Sequence, residues 1–171
     1  MPQSVADDVE TSDEEKAMTL PATIRHAEQQ VQEWLKELRD NGDLADLDEA
    51  LAVLRVVLHQ LRDRLSVEEA VDLAQQLPII VRGLYFEGWQ PSRVPSKVHS
   101  RRQLADETTI ALLPRTVPAE RAIRDVLALL AHHCDPGEIA DVIAQLPQEL
   151  KELWPEGAQT YRERMRAAKG E

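Results

Sequence analysis

The densest run of reactive side chains is His132-His133-Cys134-Asp135, which offers imidazole, thiol and carboxylate donors at four consecutive positions. These are the ligand types of a zinc centre. Neighbours on a helix, however, project about 100° apart, and the run lacks the C-x-x-C or H-E-x-x-H spacing that aims two donors at one ion. The histidines therefore read as helix C-terminal residues favoured by the macrodipole, Cys134 reads as a small core residue, and no metal site is expected. His59 and Asp63 lie four apart, on one helix face, and can hydrogen-bond. No nucleophile completes a catalytic set beside them. The chain has no glycine-rich phosphate loop and no GxSxG elbow, so neither an enzyme nor a bound cofactor is expected.

Recognition chemistry concentrates elsewhere. The segment Pro78-Ile-Ile-Val-Arg-Gly-Leu-Tyr-Phe-Glu-Gly-Trp89 places Tyr85, Phe86 and Trp89 within five residues, in a chain with only 3 Trp, 2 Tyr and 1 Phe. It is apolar on more than one side, the pattern of a buried helix. Its two readings are a central core helix and an aromatic contact patch. Arg82, in its middle, either pairs locally or binds an anion. From Gly88 to Ala105 there is no acidic residue, while Arg93, Lys97, Arg101 and Arg102 are cationic. In a chain of net charge −11 this is a local reversal. It reads either as a basic loop docked on the protein's own acidic surface or as a contact for an acidic partner or phosphate.

The elements that must position these residues come from a repeat. A shift of 69 lays Ala50–Phe86 over Ala119–Pro155 with 11 identities in 37 pairs, against roughly two or three by chance. A duplicated helical unit follows. A first helix starts near Pro21–Thr23, buries Ile24, Val31, Leu35 and Leu38, and stops at Asn41-Gly42. A second carries the seam Leu47, Leu51, Leu54, Leu58, Leu61 and Leu65, matched by Ile123, Leu127, Leu130 and Cys134. Ser66-Val-Glu-Glu69 and Asp135-Pro-Gly-Glu138 are capping boxes opening a third helix in each copy. Pro78 and Pro147 open a fourth over about residues 78–87 and 147–154. Gln90–Ser100 is a loop, and Ser100 caps a helix to about Leu113 despite the β-branched run Thr108-Thr109-Ile110. A short helix is predicted over Tyr161–Ala168.

The expected architecture is all-α: a duplicated helical bundle of two pseudo-repeat halves, about 21–89 and 100–155, of about four helices each. An acidic tail over 1–20 is read as disordered, and a C-terminal tail covers 156–171. No apolar run approaches the ~18 residues of a membrane span. The acidic balance disfavours nucleic acid and anionic lipid. One cysteine precludes an internal disulfide, and a cytoplasmic setting follows by default.

Two segments, Val53-Leu-Arg-Val-Val-Leu-His-Gln-Leu-Arg-Asp-Arg-Leu-Ser-Val-Glu-Glu-Ala70 and Arg82-Gly-Leu-Tyr-Phe-Glu-Gly-Trp89, resemble the bacterial family known as domain of unknown function 2267. The later Gln145-Leu-Pro-Gln-Glu-Leu-Lys-Glu-Leu-Trp154 resembles that family's second half, while 104–113 departs from its usual aromatic-led helix. The resemblance spans about 24–155 and implies a small all-helical bacterial cytoplasmic protein. It implies no activity, cofactor or catalytic residue. The functional expectation is a non-catalytic module that binds a protein partner or itself through the surface from Tyr85 to Arg102. The alternative is a sensor of a small anionic ligand, with a pocket between the halves and Arg82 as the anion contact.

Overall fold

The computed structural model describes residues 19–96 and 100–170. The expected acidic tail falls almost wholly outside the described residues, as does Lys97. Every described element is helical. Helix α1 (Ala22–Gly42) starts after Pro21, and α2 (Leu47–Arg62) is capped by Asp46, whose carboxylate accepts from Glu49 N at 2.8 Å. Then come α3 (Val67–Gln76) and α4 (Ile79–Phe86), followed by a 3-10 turn over Pro91–Arg93. The chain continues as α5 (Arg101–Leu112), α6 (Ala119–His133) and α7 (Pro136–Gln145). It ends in three short helices, α8 (Gln148–Lys151), α9 (Glu156–Gln159) and α10 (Tyr161–Lys169).

The leucine seam explains the packing. Leu54, Leu58, Leu61 and Leu65 of α2 and its following turn are buried, as are Ile123, Leu127, Leu130 and Cys134 at and after α6. The two helices pack on each other, α1 packs on both, and α5 packs on both from another side. α3 lies on α7, which α9 and α10 also cover. α5 keeps its helix through its own hydroxyls. Thr109 donates to the Ala105 carbonyl at 2.9 Å, and the buried Thr108 hydroxyl lies 2.7 Å from the Leu104 carbonyl.

The caps of α3 and α7 depart from the expected boxes. Ser66 Oγ accepts from Glu69 N, and Asp135 Oδ1 from Gly137 N and Glu138 N. The reciprocal bond is not made by the box glutamate. Instead Ser66 N donates to Gln145 Oε1 at 2.9 Å, and Asp135 N donates to Gln76 Oε1 at 3.2 Å. The last residue of each helix thus caps the start of the other, satisfying an N–H at the helix start that has no partner within its own helix.

Three further expectations are corrected. α1 passes through Gly42 and turns at Asp43, whose φ of 54° takes the left-handed role expected of the glycine. Gly42 instead permits close approach, since a Cβ there would lie 3.2 Å from Asp125 Oδ2. Ile24, placed on the same face as Val31, Leu35 and Leu38, is half exposed, and burial on α1 begins at Ala27. α4 is not buried on all sides: Val81 and Tyr85 face inward, while Ile79 is 63% exposed.

Candidate functional site

The last turn of α2 runs into Leu61-Arg62-Asp63-Arg64-Leu65. Leu61 and Leu65 enter the core, and the two arginines beside them are only 4% and 7% exposed. A buried guanidinium must find acceptors. Arg62 Nη1 donates to the carbonyls of Tyr85 (2.7 Å) and Glu87 (2.9 Å), and its Nε to Asp63 Oδ1 (2.8 Å). It thereby closes the C-terminal end of α4, where carbonyls have no helical partner. Arg64 Nη1 donates to the Gln60 carbonyl (2.7 Å), and Nη2 to Glu107 on α5 (3.1 Å). Its Nε is buried without a hydrogen-bond partner. Burial pulls the Arg64 pKa down, and the Glu107 carboxylate pushes back.

After α4 the chain turns at Gly88 (φ 68°), a conformation open to glycine. The 3-10 turn carries it back past α2, where Ser96 N donates to the Asp63 carbonyl. Between this strap, the α2 corner and α5 lies an open polar cleft of about 660 Å³. Arg62, Arg64 and Arg93 line it, against Asp63 and Glu107. The lining is net cationic by one charge, in a chain of −11.

The sequence-predicted residues divide around this cleft. Arg93 lines it and is exposed. Arg102 is exposed, 4.0 Å from Asp106. Arg101 turns the other way: its backbone N–H donates to Glu149, and its guanidinium lies 3.9 Å from Glu120. Lys97 lies outside the described residues. Tyr85 is corrected from contact surface to core. It is fully buried, its hydroxyl donates to the Ala70 carbonyl at 2.9 Å, and burial raises its pKa. Phe86 and Trp89 are half-buried and follow Tyr85 in series, Phe86 edge-on to Tyr85 at 5.1 Å and Trp89 tilted against Phe86 at 5.2 Å. For Arg82 the anion contact is corrected, and the local reading holds with carbonyls as the acceptors. Its Nε and Nη2 donate to the carbonyls of Ala74, Gln75 and Leu77, closing the end of α3 instead of facing a ligand pocket. The apolar cavity between α2, α5, α6 and the chain after α7 holds about 20 Å³, the scale of one water.

A second corner lies at the end of α6. His132 and His133 do converge, contrary to the helix argument, because they use different nitrogens. His132 Nδ1 lies 2.8 Å from Glu37 Oε1, and His133 Nε2 lies 2.7 Å from Glu37 Oε2. The His133 ring stacks on Trp34 at 4.8 Å. Burial pushes the Glu37 pKa up, but the two imidazole hydrogen bonds outweigh it and leave the carboxyl below its usual range. Cys134 faces the core, its thiol pushed up to about 12 by burial, and Asp135 caps α7. His59 does not pair with Asp63 through its side chain; Nε2 donates to the Leu84 carbonyl at 2.6 Å.

Sequence reasoning missed Arg62, Arg64 and Glu37 as site residues. The signal for the arginines was present: two cations flank seam leucines at the one point where the helix turns. Glu37 carried no such signal, since a glutamate on a helix surface is ordinary.

Over residues 31–153 the chain matches the family described as Uncharacterized conserved protein (DUF2267). The chain belongs to that family. No curated protein matches it.

Proposed function

We propose that this member of an uncharacterised family is a non-catalytic cytoplasmic interaction module, and that its recognition face is the cleft between the Arg62–Arg64 corner, the 88–96 strap and α5. Its bound species is an acidic partner segment. The observation that carries the reading is the sign of the cleft: three arginines against two carboxylates in a strongly acidic chain. Like charge elsewhere on the surface repels an acidic segment and steers it here. Arg62 and Arg64 are held rigid by backbone carbonyls, so the cleft is preformed, and Arg93 at the rim is the adjustable contact. The buried thiol of Cys134, with its raised pKa, supports a non-catalytic reading.

The scaffold in this proposal is two pseudo-repeat halves around a shared core. The exchanged glutamine caps support it, because Gln76 and Gln145, like Ser66 and Asp135, occupy aligned positions of the 69-residue repeat.

Fluorescence anisotropy with labelled acidic peptides tests the function. A peptide that binds saturably should lose about fivefold or more of its affinity with Arg93→Ser, and little with Arg101→Ser. Equal binding to both variants, or no saturable binding by any acidic peptide, contradicts the proposal. A second reading, a small anion in the same cleft, is favoured by the exposed Arg93 guanidinium beside the fixed Arg62 and Arg64. Melting shifts with inorganic phosphate or small carboxylates that vanish in Arg93→Ser, without peptide binding, select it.

A further inference from the structure

We propose that Glu37, His132 and His133 form a binding site for one borderline divalent transition-metal ion of the zinc type. The donor set is two imidazoles and one carboxylate, the composition such ions accept with a fourth position left to water. Two elements supply it, Glu37 from α1 and the histidine pair from the end of α6. The three donor groups lie within 4.8 Å of one another.

The usual objection to adjacent helical histidines is that they diverge. The use of different nitrogens removes it. His132 presents Nδ1, close to its backbone, while His133 presents Nε2, at the far end of the ring, and the rings are 4.6 Å apart. Trp34 backs the His133 ring and fixes its plane. A ligand held in orientation by its neighbours binds more tightly than a free one.

Conversion to a metal site needs both imidazoles on one carboxylate oxygen. With metal–ligand bonds of about 2.0–2.1 Å at tetrahedral angles, bound donor atoms sit about 3.3 Å apart. The imidazoles now contact different oxygens of Glu37, at 2.8 and 2.7 Å, and the donor atoms lie within 4.8 Å of one another. The widest separation must therefore close by up to about 1.5 Å, and the His132 side chain, 68% exposed, is free to turn. In neutral imidazoles the ion takes the place of each N–H hydrogen, which moves to the other ring nitrogen, so the tautomers become Nε2–H at His132 and Nδ1–H at His133. Cys134 is buried, and Asp135 Oδ1 accepts from Gly137 N and Glu138 N, so neither competes as a ligand. The open side faces solvent beside a groove lined by His132, Tyr161 and Arg164.

The test is calorimetric titration of zinc chloride into the chelator-stripped full chain near pH 7.5, followed by thermal melting. Wild type should bind one equivalent and melt higher as zinc is added, since an ion that binds only the folded state stabilises it. Glu37→Gln and His132→Gln should each weaken binding about tenfold or more and lose the melting shift. His26→Gln, a change in a histidine outside the cluster, should match wild type. Absence of saturable binding in wild type, or binding unchanged in both variants, reduces the cluster to a hydrogen-bonded triad and overturns the proposal.

Discussion

The stretches that follow the leucine seams of α2 and α6 align under the shift of 69 residues, Leu61-Arg-Asp-Arg-Leu-Ser66 against Leu130-Ala-His-His-Cys-Asp135. Each closes a leucine seam and leads into a capped helix. In each, a basic side chain at one aligned position reaches a carboxylate on a neighbouring helix: Arg64 to Glu107, and His133 to Glu37. The side chains then part company. Arg62 and Arg64 are permanent cations tied to backbone carbonyls, and they frame a cleft. Ala131 makes no such tie, and the histidines gather on one half-buried carboxylate. The aligned stretches thus carry two chemistries, fixed charge in one and an imidazole–carboxylate cluster in the other.

The comparison breaks first at Arg62. Arg62→Ala removes the donors to Tyr85 and Glu87 and leaves Asp63 without its partner. A cost of about 2–4 kcal/mol is expected in urea unfolding. His133→Ala, at the other corner, should cost about 1 kcal/mol or less, and equal costs would erase the distinction. Next come the exchanged caps. Gln145→Ala removes bonds to Ser66 N, Ser66 Oγ and Glu69 and should cost about 1–2 kcal/mol, while Gln76→Ala removes the bond from Asp135 N and should cost about 0.5–1 kcal/mol. No cost from either change would sink the exchanged caps.

The pH dependence sharpens the contrast. Because the folded-state pKa of Glu37 is lowered, its contribution is fully present above the ordinary value of 4.5 and is lost as pH falls through the folded value. Wild type should therefore exceed Glu37→Gln in stability at neutral pH by about 0.5–1 kcal/mol, with the gap closing in acid. The smallest effect has the opposite sign. Burial, with Glu138 and Asp72 nearby, raises the pKa of Glu69 where α3 meets α7. Its charged form is disfavoured in the fold, so wild type gains stability as pH falls toward 4.5. Glu69→Gln should raise the neutral-pH melting temperature by roughly 1–3 °C, an advantage that disappears near pH 4.5. A constant offset across pH would contradict the assignment.

Much of the scaffold was legible because it rests on local rules. The spacing of leucines predicts α2 and α6, Ser66, Ser100 and Asp135 mark helix starts, and Pro78 and Pro147 mark the next ones. What escaped depends on contacts distant in sequence. Tyr85 and Trp154 are aligned and both buried, yet the sequence also left Tyr85 open to a contact surface. The box glutamates lost their expected bond to glutamines 59 and 79 positions away. Glu37 meets the histidines across 95 and 96 positions, a pairing no periodicity reveals. In the basic run, charge marked Arg93 and Arg101 alike, and only the fold separates the one in the cleft from the one turned to Glu120.

Backbone amide NMR of the full chain, titrated with an acidic peptide, tests the central claim most directly. Saturable shifts are expected at Arg62–Arg64, at Gln90, Ser92–Val94 and Ser96, and at Glu107, with His132–Asp135 unmoved. Shifts confined to the second corner, or spread without saturation over the surface, would contradict it.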